Sequence, residues 1–246
     1  MKKPFYKRKR YLFPLFFLIL LLVFLYFPSW TPAIKDARGN KLPNSIAALE
    51  EVSLGGVKQS LLIRGNDKNN PILLFLHGGP GYPQIAYARK YQQRLEKDFI
   101  VVNWDQRGSG KSYHWNLTEE DMQVDKLVED TRELTLYLTE RFHQPKIFIA
   151  GHSWGSTLGA LTVQRYPDNY YAYIGIGQVA NSPLGELRSY EFALREARKS
   201  NNEKAIMELE AIGAPPYRNP RRDATLERKW VANSADRRGL LIRTGI

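Results

Sequence analysis

A chain of 246 residues, 43% hydrophobic and 25% charged, holds material for one large domain or two small ones. It has no cysteine, which excludes a disulfide framework and a thiolate metal site, and its four histidines include no His-x-x-x-His pair of the kind zinc favours. The net charge of +11 lies at the ends, +6 in residues 1–10 and +5 in residues 217–246; residues 11–216 are neutral, which argues against a nucleic-acid-binding face.

The amino-terminal run Leu12–Phe27 is uncharged and follows the cluster Lys7-Arg8-Lys9-Arg10. With its aromatic flanks Tyr11 and Trp30 it comes to twenty residues, about the length of a helix that crosses a bilayer. Residues 1–30 are therefore expected to form a single-pass membrane anchor with a cytoplasmic amino end, the rest of the chain being extracytoplasmic. A cleaved signal peptide is the competing reading, with Thr31-Pro32-Ala33 as its only small-x-small site.

Residues 31–46, rich in Pro, Gly, Asn and Lys, read as a linker. Ala47–Leu54 and Val57–Ile63 flank Gly55-Gly56 and predict a β-hairpin. Ile72–Leu76 is apolar on both faces and predicts a central strand, ending in His77-Gly78-Gly79-Pro80-Gly81. A polar helix over Gln84–Lys97 leads to a second central strand, Phe99–Trp104, which ends in Asp105-Gln106-Arg107-Gly108-Ser109-Gly110. Thr118 and Asp121 form a capping-box pattern at the start of a helix whose apolar face is Val124, Leu127, Val128, Leu134, Leu138 and Phe142.

The apolar run Ile147–Ala150 then enters Gly151-His152-Ser153-Trp154-Gly155, followed by a helical pattern to about Tyr166 and a short strand, Tyr171–Gly177. Strands alternating with helices imply a mostly parallel sheet covered on both sides, an α/β core over residues 47–181. Residues 182–216 read as lid helices, and 217–246 as a basic, irregular tail.

Gly-x-Ser-x-Gly between a buried strand and a helix is the pattern of a nucleophile elbow. Glycines at 151 and 155 let the backbone double back, and Ser153 stands at the apex, at the positive end of the next helix. The glycine turn after Ile72–Leu76 leaves backbone N–H groups free to meet a developing oxyanion, together with the N–H of Trp154. Both features fall at carboxyl ends of adjacent strands, where such sheets bind ligands.

HGGPG, DQRGSGKS and GHSWGS, in this order and spacing, resemble the α/β-hydrolase fold and in particular its proline-iminopeptidase-like branch of serine aminopeptidases, over roughly residues 47–216. The resemblance implies that Ser153 is the nucleophile, that Gly79 (or Gly78 in its place) and Trp154 supply the oxyanion-hole N–H groups, and that Asp105 and Arg107 hold turns near the site. It implies a peptide or ester substrate and no metal or organic cofactor. Acidic lid residues bind the substrate's free amine in that branch. Glu186, Glu191 and Glu196 lie in the right region, but a solvated helix face is the simpler reading of them. Gly108-Ser109-Gly110-Lys111-Ser112 is not a phosphate-binding loop, since that motif needs glycine at position 105, where Asp105 stands.

A triad in this fold follows the chain order Ser, acid, His. The histidines here are His77, His114, His143 and His152, all before Ser153. Of the later aspartates, Asp168 falls at the wrong end of the sheet, and Asp223 and Asp236 lie in the basic tail. The fold's later strands are missing as well. The expectation is a chain that ends early, poorly active alone; an esterase or lipase on the same scaffold, or a non-catalytic membrane-anchored binding module, are the alternatives.

Overall fold

Five consecutive apolar residues, Ile72–Leu76, have no polar side to turn toward water, and all five are buried at the centre of a six-stranded sheet. A computed structural model describes the backbone of residues 5–26 and 29–237 and the side chains of 12–22 and 29–234. The strands are β1 (Ile46–Leu54), β2 (Val57–Gly65), β3 (Ile72–Leu76), β4 (Ile100–Trp104), β5 (Ile147–His152) and β6 (Tyr170–Ile176), in the order β1-β2-β4-β3-β5-β6. The hairpin partners β1 and β2 pair antiparallel, as do β2 and β4, while β4, β3, β5 and β6 run parallel. The expected α/β architecture is thus the observed one.

Helices α2 (Ile85–Gln92), α3 (Val124–Phe142) and α4 (Trp154–Arg165) accompany the sheet. Helix α3 buries Leu127, Val128, Leu134 and Leu138 along the expected stripe, together with Thr131 and Thr135. Each threonine returns its hydroxyl to the carbonyl four residues earlier, Leu127 at 2.7 Å and Thr131 at 2.8 Å, so neither donor is lost by burial. The Thr118–Asp121 pair forms, with the Thr118 hydroxyl donating to Asp121 Oδ2 at 2.8 Å, but it closes a 3-10 turn at Glu120–Met122. Helix α3 begins only after the extended residue Gln123.

At the sheet margin β6 pairs with β5 on one side and, among the described residues, has no strand on the other. Tyr171, Ile174 and Ile176 on it are 42–49% exposed.

Residues 1–177 and 178–246 form two compact units. The second contains α5 (Ser182–Lys199), α6 (Glu203–Ile212) and α7 (Pro220–Arg237). Asn181 and Asn202 cap the first two, accepting from Leu184 N at 3.0 Å and Ala205 N at 3.2 Å. Tyr190, Ala193, Ala197, Ala205, Leu209 and Trp230 make its core. Helix α7 corrects the expectation of an irregular tail over 217–246. Its buried face is Asp223, Glu227, Trp230 and Ser234, helically spaced but mostly polar, so apolar periodicity did not reveal it. Glu227 finds a partner there in the Ser189 hydroxyl at 2.5 Å. Residues 238–246 lie outside the described residues.

The amino-terminal expectation is overturned. Helix α1 (Phe5–Tyr26) forms, but no helix among the described residues is long and apolar enough to cross a membrane. Trp30, expected as its far flank, is not helical. The side chains of the basic cluster, Lys7–Arg10, lie outside the described residues. The linker is partly tied down: Arg64 Nη1 donates to Thr31 Oγ1 at 2.6 Å and to Pro32 O at 2.7 Å.

One buried ion pair joins the hairpin, the loop after β4 and α3. Arg107 Nε and Nη2 donate to Asp130 Oδ2 and Oδ1 at 2.8 and 2.7 Å, with side chains 3% and 1% exposed. Asp130 Oδ2 also accepts from Gln59 Nε2 at 2.8 Å, and Gln59 Oε1 accepts from Trp104 Nε1 at 2.9 Å. Removing one member strands the other charge, so Asp130→Ala is expected to cost about 3–5 kcal/mol in urea unfolding. Arg165→Ala breaks a pair with the exposed Asp125 and is expected to leave the urea midpoint almost unchanged.

Candidate active site

Strand β5 passes into α4 through a single residue, Ser153, whose φ of 51° and ψ of −118° are unusual for a side-chain-bearing residue. That conformation costs on the order of 1–3 kcal/mol, and its surroundings hold it. Ser153 N donates to Ile176 O at 2.9 Å, and Ser153 O accepts from Ser156 N at 2.9 Å. These bonds engage the backbone of Ser153, a partly exposed residue, and its hydroxyl donates to none of the described residues.

The flanking glycines are required by space. A Cβ on Gly151 would lie 2.2 Å from Gly155 O, and one on Gly155 would lie 2.2 Å from Leu76 O. Strand β5, helix α4 and the end of β3 therefore meet backbone to backbone.

That meeting sets the glycine turn against the serine. A Cβ on Gly78 would stand 3.2 Å from Ser153 Cβ and 3.1 Å from His152 Nδ1. The turn is closed by Tyr82 N donating to Gly78 O at 3.1 Å. Gly79 has a φ of 119°, and its N–H donates to none of the described residues. The N–H of Trp154, first in α4, has no acceptor within the helix.

His77, buried beneath the turn, is engaged at both ring nitrogens. Nδ1 lies 2.9 Å from Gly78 O and Nε2 lies 3.1 Å from Gln106 N, which donates to it. This fixes the neutral tautomer with the proton on Nδ1, and Nε2 also lies 3.0 Å from Ser109 Oγ. Burial pushes the His77 pKa below its ordinary 6.5, against a smaller opposite effect of Gly78 O.

Gln106 is the residue that sequence reasoning missed. Its amide donates to His77 O at 3.1 Å and accepts from Trp154 Nε1 at 3.3 Å, so it ties the glycine turn to the start of α4. Its place in the DQRGSGKS motif was the available signal. Asp105, in the same loop, accepts Lys111 N at 2.9 Å on Oδ2, a turn-holding contact.

No histidine is hydrogen-bonded to Ser153 among the described residues. His114 Nε2 lies 2.8 Å from Lys58 O, His143 ends α3 with a φ of 53°, and His152 is exposed beside Gly78. Asp168 sits in the turn Pro167–Asn169 that leads into β6, at the opposite end of the parallel strands from Ser153. Asp223 receives Asn219 N at 3.0 Å at the start of α7, and the Asp236 side chain lies outside the described residues. Of the glutamates in α5, Glu186 pairs with Arg228, Glu191 with Arg188 at 2.8 Å, and Glu196 lies 3.9 Å from Arg195.

The strand order and the serine bend between β5 and α4 define the class, an α/β hydrolase. Comparison with known proteins narrows it. The family described as serine aminopeptidase, S33, matches residues 67–220. The probable aminopeptidase YbaC of Bacillus subtilis is 46% identical over 175 residues, 71% of this chain and 55% of that protein. A probable proline iminopeptidase of Leptolyngbya boryana is 34% identical over 137 residues, 56% of this chain and 37% of that one. Among solved structures, a proline iminopeptidase-related protein from Thermus thermophilus matches with a TM-score of 0.54 and 25% identity, over 79% of this chain and 73% of that one. The chain belongs to the S33 serine aminopeptidase family of α/β hydrolases. It spans about half the length of the B. subtilis relative.

Three outcomes follow from the packing and the titration. Gly155→Ala puts a Cβ into the Leu76 carbonyl and is expected to cost more than about 2 kcal/mol in urea unfolding. Gly78→Ala, with its nearest atom at 3.1 Å, is expected to fold while shifting the turn away from Ser153. His77, with its folded pKa depressed, adds stability that is full above pH 6.5 and is lost as pH falls through the folded value. Urea midpoints from pH 7.5 to 5 are therefore expected to fall less steeply in His77→Gln than in the parent.

Proposed function

We propose that this chain carries the nucleophile and oxyanion-binding half of a peptidase that removes amino-terminal residues. Ser153 Oγ attacks the carbonyl carbon of the first peptide bond and passes its proton to a general base. The carbonyl oxygen, now negative, accepts hydrogen bonds from the N–H groups of Gly79 and Trp154, and Gly78 is the alternative to Gly79. Collapse expels the shortened peptide's amine with a proton returned from the base, leaving an ester on Ser153 that water hydrolyses.

The observation that supports this reading is the 3.2 Å separation between Ser153 Cβ and the position of a Cβ on Gly78, which brings the serine close to the glycine turn. The family supplies the peptide substrate class. Among the described residues none of the four histidines is hydrogen-bonded to Ser153, and none of them is assigned as the base. Without a base the hydroxyl stays protonated near neutral pH and is a weak nucleophile. On this reading the chain alone is poorly active. Esterase or lipase chemistry on the same residues is the runner-up, decided by comparing amino-acid amides with simple esters. A non-catalytic binding module is the further alternative, favoured by the lack of a histidine after Ser153.

A fluorophosphonate probe tests the reading. The 246-residue chain is expected to label at Ser153 at least about 10³-fold more slowly than an intact serine hydrolase, and Ser153→Ala not at all. A chimera carrying the remaining carboxyl-terminal part of the B. subtilis relative is expected to recover most of that rate. Fast labelling of the chain alone would mean a base is already present. A folded chimera that stays unlabelled would refute the nucleophile assignment.

A further inference from the structure

A cavity of about 590 Å³ lies in the first unit, beside residues that lead into β3 and β5 and so at the opposite end of the parallel strands from Ser153. Its size is within the range of small-molecule sites. Three segments far apart in the chain wall it: residues within 41–48, Lys68 with Asn69, and Arg141, Phe142 and His143 at the end of α3. Hydrogen bonds join them, from Lys68 N to Asn44 O at 3.0 Å and from Gln144 Nε2 to Asn69 O at 3.4 Å.

The lining holds Lys41, Lys68, Arg141 and His143 and no acid. Among the described residues the lysines paired with a carboxylate are Lys126, Lys204 and Lys229, so neither Lys41 nor Lys68 has such a partner. Arg141 is held more firmly. Its Nη1 donates to Glu50 Oε1 and, at 2.7 Å, to the Tyr137 hydroxyl, and its guanidinium lies 5.4 Å from the centre of the Phe142 ring. Its Nε and Nη2 donate to none of the described residues, and its side chain is 29% exposed. Asp67, next to Lys68 in the chain, is not in the lining; it accepts from Asn44 Nδ2 at 2.5 Å and from Asn69 N at 2.8 Å. Lys41, Lys68 and Arg141 against Glu50 alone leave two positive charges around the space. Ile46 and Phe142 give it an apolar wall.

We propose that this cavity binds a small phosphate monoester, the phosphoryl group between Arg141 and the two lysines and the apolar part on Ile46 and Phe142. A monoester carries about −1.5 to −2 charge at neutral pH, which matches the two spare positive charges. Its oxygens suit the open edge of a guanidinium and the point charges of lysines. A single carboxylate would leave one of those charges unmatched. The site is remote from Ser153 and does not rest on the hydrolase reading.

Calorimetry on the full chain provides the test, with phenyl phosphate as the probe. Benzenesulfonate has a similar body with one charge, and inorganic phosphate has the charge without the body. Phenyl phosphate is expected to bind at one site, at least about tenfold more tightly than benzenesulfonate and about threefold more tightly than inorganic phosphate. Lys41→Gln and Lys68→Gln, both at exposed positions, are each expected to weaken it at least about threefold while melting stays cooperative. Lys58→Gln removes the same charge at the other end of the β1–β2 hairpin and is expected to leave binding unchanged. Equal loss in all three variants, or no loss in either cavity variant, would overturn the proposal. So would benzenesulfonate bound as tightly as phenyl phosphate, or no binding of either. Inorganic phosphate bound as tightly as the ester would overturn the ester in favour of the free ion.

Discussion

Three stretches of backbone approach one another more closely than any side chain would permit, and the architecture around Ser153 follows from that contact. Gly155 lies against the Leu76 carbonyl and Gly151 against the Gly155 carbonyl. With no Cβ between them, α4 leaves β5 at once and its amino end comes down beside the end of β3. The uncommon backbone of Ser153 is a result of that geometry, and the flanking strands and helix hold it in place. A residue held this way is positioned by main-chain packing, which is stiffer than a side-chain hydrogen bond.

Polar side chains then brace the turn from behind. His77, Gln106, Ser109 and Trp154 form a connected set in which each ring or amide nitrogen has a partner. Burying so many polar groups is tolerable only because they satisfy one another. Farther out, Arg107 and Asp130 do the same for the β-hairpin and α3. His77 sits beneath the glycine turn, its nitrogens engaged by Gly78 O, Gln106 N and Ser109 Oγ, and it serves as a strut.

Much of this was legible in the amino-acid order, because the relevant signals are local. Apolar runs such as Ile72–Leu76 declare buried strands, and Gly-x-Ser-x-Gly declares its bend, since both depend on residues a few positions apart. What stayed hidden depends on partners distant in the chain or on faces that are not apolar. Helix α7 escaped because its inward face is Asp223, Glu227, Trp230 and Ser234, whose burial is made possible by groups such as Ser189 and Asn219. Gln106 escaped because a glutamine has no distinctive spacing, and only folding reveals that it spans His77 and Trp154. The uncharged run at the amino end misled in the other direction. Composition alone does not tell how far an apolar run continues as a membrane-spanning helix, and among the described residues none does.

The β6 margin bears on how steadily the serine is held. Its last residue, Ile176, supplies the carbonyl that receives Ser153 N, while the strand is hydrogen-bonded to the sheet along one side only among the described residues. Outermost strands fray at lower free energy than central ones. The backbone of Ser153 therefore depends in part on a strand at the margin of the sheet. The exchange rate of the Ser153 amide proton reads out how often that strand lets go.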